Sequence, residues 1–174
     1  MLRTILRFSL VLLALLTPTV ARADAKPINL ALFDPVQIFG REDAIHGFRF
    51  SLLYGNNSEM KGLDIGLVSR VTGKVVGLQW GIVNWGEGSL GGAQLGAVNY
   101  LKGDATGAQL GVVNLADSAV GLQWGMVNYA PRVKGLQLGF VNVTDDLEGL
   151  QLGLVNVAKN GFLPVFVIVN FAFK

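Results

Sequence analysis

The chain of 174 residues contains no cysteine and a single histidine, His46. The first absence excludes disulfides, a cysteine nucleophile and lipid attachment to a cysteine behind a leader. The second, together with the absence of a GxSxG motif, leaves no pattern for a Ser-His-Asp triad. We therefore predict a non-enzymatic protein in which His46 is a solvated residue beside a charged linker.

Charged residues are also few, at 15% of the chain. Asp145, Asp146 and Glu148 fall close together and make a Ca²⁺ site a candidate. The GGxGxD pattern of calcium-binding β-rolls is missing, so a solvated turn is the favoured interpretation. No glycine-rich stretch is followed by the Lys-Ser/Thr pair of a phosphate-binding loop. We predict neither a metal nor a cofactor.

The first 23 residues have the pattern of a secretory signal peptide. Arg3 and Arg7 lead into a nine-residue apolar run over 8–16, and residues 21–23 read Ala-Arg-Ala, a small-x-small cleavage pattern. The run is far shorter than the ~20 residues of a membrane-spanning helix. Without this segment the chain has 11 basic and 12 acidic residues, which argues against a nucleic-acid partner. We predict export to the outer membrane, cell surface or periplasm.

Glycine is abundant, with 23 residues, and it marks a tandem repeat. Seven copies resembling GLQLGFVN (135–142) open at Gly62 and then at steps of 15, 15, 15, 14, 14 and 14 residues. Such periodicity is typical of repeat architectures. We divide the chain into a leader (1–23), entry strands that cap the array (24–61), the repeats (62–162) and a degenerate terminal copy (163–174).

Each unit alternates with period two, which predicts a β-strand. Its second, fourth and sixth positions are apolar, as in Leu136, Leu138 and Phe140, whereas the first, third and fifth are Gly, Gln and Gly. Two glycines in eight residues disfavour a helix. The recurring Gln and closing Asn residues are predicted to form structural ladders between units: Gln79, Asn84, Gln94, Asn99, Gln109, Asn114, Gln123, Asn128, Gln137, Asn142, Gln151 and Asn156.

Two all-β architectures fit this unit. In a β-solenoid each repeat is one coil, whereas in an antiparallel up-and-down meander about ten strands close into an outer-membrane-type barrel. The apolar stripe spans only about 13 Å of strand, against the ~25 Å of a lipid-facing band. We therefore prefer the solenoid, with the apolar stripe facing the core and Gln facing outward. Trp85, Tyr100 and Tyr129 would then lie along one margin as a candidate interaction surface.

The combination of repeat, entry and exit also resembles a known family. The repeats GLQLGLVN and GLQWGIVN, the entry LALFDPVQIFG…FRFSLLYGNNSEMKGLDIGLVSRVTG and the exit NGFLPVFVIVNF resemble bacterial surface-repeat proteins of the spirochaete type. That resemblance implies an exported envelope protein and assigns no catalytic or binding residues. We predict a surface or envelope scaffold that contacts a protein or a glycan, with outer-membrane association. A small outer-membrane barrel with a pore or membrane-structural role is the alternative.

Overall fold

The computed structural model describes residues 24–173, and the predicted leader lies outside the described residues. No helix in this range is long and apolar enough to cross a membrane. Almost every segment is a strand: β1 (Lys26–Phe33), β2 (Val36–Gln37), β3 (Ala44–Asn57), β4 (Glu59–Val71), β5 (Val75–Gly86), β6 (Leu90–Trp124), β7 (Val127–Tyr129), β8 (Arg132–Leu138), β9 (Val141–Thr144), β10 (Asp146–Ala158) and β11 (Val165–Ala172).

Successive repeats stack in parallel and in register. Gly62 pairs with Gly77 between β4 and β5, and Gln137 pairs with Gln151 between β8 and β10. The result is a β-solenoid of about nine turns, which confirms the preferred prediction. The meander alternative is wrong, because a meander requires neighbouring repeats to run in opposite directions.

Each coil has two arms joined by a corner. In the coil that begins at Arg132, strand β8 forms the first arm and strand β9 forms the second. The residues Gly139 and Phe140 turn the chain between them. A hydrogen bond of 3.1 Å from Gln151 Nε2 to the Val157 carbonyl ties the two arms of the next coil together. The stacked arms therefore form two parallel sheets whose inner faces enclose a narrow core.

The apolar part of this core is thin. One column lies two residues before the opening glycine of each coil, and it faces a column two residues after the closing Asn. Gly86 leaves room for its stacked neighbour, since a Cβ built on it would lie 2.5 Å from Leu101 Cδ1. The buried members of the two columns are Ile45, Met60, Val71, Val75, Leu90, Leu101, Ala105, Ala116, Ala119, Ala130, Val133, Leu147 and Ala158.

The two ends of the solenoid are covered differently. Strand β3 lacks the sequence repeat but pairs in parallel with β4, with Gly47 opposite Gly62, so it forms a coil of its own. Strand β1 lies parallel to β3, and β2 folds back antiparallel on β1. At the other end β11 pairs antiparallel with β10, with Asn170 opposite Gln151. The terminal copy thus reverses direction and closes the stack.

Candidate interaction surface

The strand faces are oriented opposite to the sequence prediction. Gln137 is fully buried, whereas Phe140 is 54% exposed and Leu138 is half-buried. The expectation that the apolar stripe faces the core and that Gln lines the outward surface is therefore wrong. The sequence does carry a signal for this orientation. The aliphatic residue two positions before each opening glycine, such as Val133, lies on the same strand face as Gln, and it is buried.

The Gln side chains form one continuous ladder along the solenoid axis. Each Nε2 donates to Oε1 of the Gln in the preceding coil, at 2.7–2.9 Å. Because coils stack about 4.8 Å apart, identical amides meet at hydrogen-bonding distance and satisfy one another. At its amino-terminal end the ladder continues into Asp64, whose carboxylate accepts from Gln79 at 3.0 Å. At the other end Gln151 Oε1 has no hydrogen-bond partner among the described residues.

The Asn side chains form a second ladder of opposite polarity. Each Nδ2 donates to Oδ1 of the Asn in the following coil at 2.8 Å, from Asn84 to Asn156. The same Nδ2 also donates to a backbone carbonyl, as Asn128 does to Leu138 at 2.8 Å. Because the two amide columns run in opposite directions, their dipoles largely cancel. Between their two ends, both ladders satisfy their buried amides through bonds to the neighbouring coils.

The two glycines of each unit make room for these ladders. Gly135 has a φ of 138°, and a Cβ on it would collide with the carbonyl of Gly121 in the coil below. A Cβ on Gly139 would lie 2.6 Å from Asn128 Nδ2 and would also strike the Gly125 carbonyl. Larger side chains are therefore excluded from both positions, and the glycines have a structural role.

A buried ion pair replaces the amides in the first two coils. Arg49 and Asp64 occupy the Gln positions of β3 and β4, and both side chains are fully buried. The guanidinium donates two bonds to the carboxylate, at 2.8 and 2.6 Å, and a third to Asn57 Oδ1 at 3.0 Å. This bidentate geometry is the favourable one for a buried pair. The ion pair thus occupies the end of the Gln ladder, where β3 and β4 carry no Gln at this position.

The outward face consists of apolar columns, which we call the outward apolar surface. It comprises the second, fourth and sixth positions of the seven repeats. The corner glycines, such as Gly125, form the floor of a shallow groove between the fourth and sixth columns. Several of its side chains are more than half exposed: Trp80 (59%), Ile82 (54%), Trp124 (60%), Phe140 (54%) and Leu154 (63%).

The predicted aromatic margin lies on the outside of the second arm. Trp85 and Tyr100 pair edge to face, with ring centroids 5.8 Å apart, and the Arg70 guanidinium lies 5.4 Å from the Trp85 ring centre. The hydrogen bond to Glu87 raises the pKa of Arg70. Tyr129 is 40% exposed and lies in the same ninth-position column. The structure thus brings the three aromatics onto one face, and their role in binding stays a prediction.

The connectors form a polar edge on the opposite side of each coil from the corner. Asp145 pairs with Lys159 at 2.9 Å, and Glu148 pairs with Lys134 at 2.7 Å. The hydrogen bond to Asp145 raises the pKa of Lys159. No group of three or more His, Asp or Glu side chains within 24–173 could hold a metal ion. His46 lies on the outside of β3, where Nε2 is 2.8 Å from a Glu59 carboxylate oxygen.

Comparison with protein-family models, curated proteins and solved structures finds no match to this chain. The resemblance to surface-repeat proteins therefore stays a prediction. The fold defines a β-solenoid with two buried amide ladders, and its most unusual surface is the outward apolar one.

Proposed function

We propose that this chain is an exported, non-enzymatic scaffold of the cell envelope that binds its partner through the outward apolar surface. The proposal rests on the difference between the two faces of each strand, since the Gln and Asn side chains point inward and the outward ones are apolar. Amide groups that could recognise a polar ligand bond to one another inside. Apolar side chains point outward in every repeat, and the largest of them, such as Trp80 and Trp124, are more than half exposed. Monomeric soluble proteins rarely expose contiguous apolar patches above a few hundred Å² unless the patch has a function.

The repeat architecture suits a scaffold. Each coil contacts only its neighbours, so the number of coils sets the length of the surface without altering its chemistry. The leader-like segment supports export, because its two arginines, short apolar run and Ala-x-Ala pattern are those of a cleaved signal peptide. The absence of cysteine is compatible with an oxidising compartment, since no thiol is at risk there.

Export is tested with a reporter that folds only where disulfides form, such as alkaline phosphatase, fused after Lys174. We expect activity for the full chain and its loss when Leu12 and Leu13 are both replaced by Arg, because charge destroys the apolar run. Equal activity of the two fusions would contradict the export step.

Binding is tested by fractionating cells that express the full chain. We expect the chain in the envelope fraction, and we expect Trp80→Gln with Trp124→Gln to release it. The matched control is Lys102→Gln with Asp104→Asn, which changes two exposed residues near the polar edge and leaves the net charge unchanged. Release by the control but not by the double tryptophan variant would refute binding through the outward apolar surface.

A further inference from the structure

The outward apolar surface has almost no group that could recognise a polar ligand. Apart from the indole N–H of Trp80 and Trp124 and the weakly accepting thioether of Met126, none of its side chains carries a hydrogen-bond donor or acceptor. The backbone at the corner is already paired: Gly125 N donates to the Leu138 carbonyl at 2.9 Å, and Gly139 N donates to the Leu152 carbonyl at 3.0 Å. A glycan or an extended peptide would leave its own hydroxyl or amide groups unpaired, which is costly. The chemistry of this surface fits hydrocarbon.

Charged residues are also kept away from the outward apolar surface. Across the seven repeats, the segments from the second to the eighth position contain one charged residue, Asp64, and it is buried against Arg49. The other charged residues of the repeats lie in the connectors or next to them: Arg70, Lys74, Glu87, Lys102, Asp104, Asp117, Arg132, Lys134, Asp145, Asp146, Glu148 and Lys159. The solenoid is therefore amphipathic across its width, with an uncharged corner and a charged connector edge.

The dimensions and relief of the surface favour a fluid partner. Seven coils at about 4.8 Å each give a length of about 34 Å, and the second to fourth positions span about 7 Å of strand before the chain turns at the corner. Trp80 and Trp124 are more than half exposed at the fourth position, and Leu95 and Leu110 lie between them in that column. The flanking columns carry the smaller Ala93, Ala97 and Ala108 in the same two repeats. A second copy related by a two-fold axis between these repeats would set tryptophan against tryptophan and leave gaps over the alanines. Acyl chains adapt to such relief.

We propose that the outward apolar surface docks on a lipid bilayer, with the solenoid axis parallel to the membrane plane and the connector edge towards water. This inference rests on the proposed function, because it names the partner of the same surface. Trp80 and Trp124 suit this position, since an indole combines an apolar body with an N–H that can reach the headgroups. Residues 24–174 carry a net charge of −1, so binding depends on apolar contact and not on anionic lipid.

The test is flotation of the protein, purified after expression of the full chain, with phosphatidylcholine vesicles. The vesicles are prepared with and without phosphatidylglycerol, and flotation is measured at low and high salt. We expect co-flotation in all four conditions and a blue shift of tryptophan fluorescence. Trp80→Gln with Trp124→Gln should lower the partition coefficient by about 100-fold, roughly tenfold for each side chain. The control Lys102→Gln with Asp104→Asn should bind like the parent chain.

A measurement on the intact surface guards against a variant that misfolds. In a Trp85→Phe background only Trp80 and Trp124 report, and we expect brominated lipid to quench their fluorescence. Absence of flotation, binding only with phosphatidylglycerol at low salt, or unquenched tryptophans would each overturn the inference. If the protein instead forms a dimer in solution and does not bind vesicles, the surface would be an interface with a second copy. If the reporter fusion is exported but the protein does not bind vesicles, this inference alone is refuted. If the protein binds vesicles but the reporter fusion is not exported, the export step alone is refuted.

Discussion

Replacing Gln123 with leucine measures what the internal amide ladder contributes. Gln123 is 1% exposed, donates to Gln109 Oε1 at 2.8 Å and accepts from Gln137 Nε2 at 2.7 Å. Leucine is of similar size but removes both bonds, so a donor and an acceptor in neighbouring coils lose their ladder partners. An unsatisfied buried group costs about 1–3 kcal/mol. After a partial offset from the greater apolarity of leucine, we expect the free energy of unfolding to fall by about 2–4 kcal/mol.

The assay is urea unfolding followed by far-UV circular dichroism, with the m-value checked for constancy. The matched control is the adjacent residue, Trp124, which points outward and is 60% exposed. Trp124→Gln should change the free energy of unfolding by no more than about 0.5 kcal/mol, as is usual for surface positions. If Gln123→Leu were neutral and Trp124→Gln destabilised the fold strongly, the strand faces would be the reverse of those described above.

Three further expectations follow from the ladder and its ends. Ser69→Asn should stabilise the fold by about 1 kcal/mol. Asn84 Oδ1 is buried without a hydrogen-bond partner in the described structure, and the new amide would donate to it. A urea midpoint no higher than that of a Ser69→Ala control would contradict this. Arg49→Met should cost about 3–5 kcal/mol in thermal unfolding, because it leaves the buried Asp64 carboxylate without a counter-charge. Adding Asp64→Asn should recover part of that loss, and no recovery would show that the charge is not the cause. Deleting Gly121–Lys134 removes one coil in register, so small-angle scattering should show a folded rod shorter by about 5 Å, whereas an unfolded product would count against stacking.

The coil architecture could be predicted from the sequence, but the orientation of its strands could not be obtained from hydropathy alone. Period-two alternation fixes which residues share a face and leaves open which face is inside. Hydropathy assigned Leu136 and Leu138 to the core, and the structure places Gln137 there. The deciding evidence lies outside the alternating segment. Val133 shares a face with Gln137, and an apolar residue recurs at its position in every repeat, where it is buried.

The first coil was less accessible to prediction for a different reason. Strand β3 has the same backbone register as the repeats, but Arg49 stands where they have Gln. A lone arginine in a strand is predicted to be exposed, because burying an unpaired charge costs too much free energy. Its burial depends on Asp64, which belongs to the next coil and is itself an exception to the Gln pattern. Only the three-dimensional pairing joins the two exceptions into one bidentate contact.

The pattern of variation within the repeat gives a physical reason for the inverted orientation. Each ladder amide must bond to the coil above and to the coil below, so a replacement in one copy leaves its neighbours unsatisfied. Gln and Asn accordingly recur unchanged from the second repeat to the seventh. The sixth position makes no such bond to its neighbours, and it varies over the same coils from Ala97 through Met126 to Phe140. On the outside such variation causes no strain. In a solenoid held together by amide ladders, a polar residue that recurs unchanged in successive coils is therefore expected to be buried, even when its apolar neighbours in the strand are exposed.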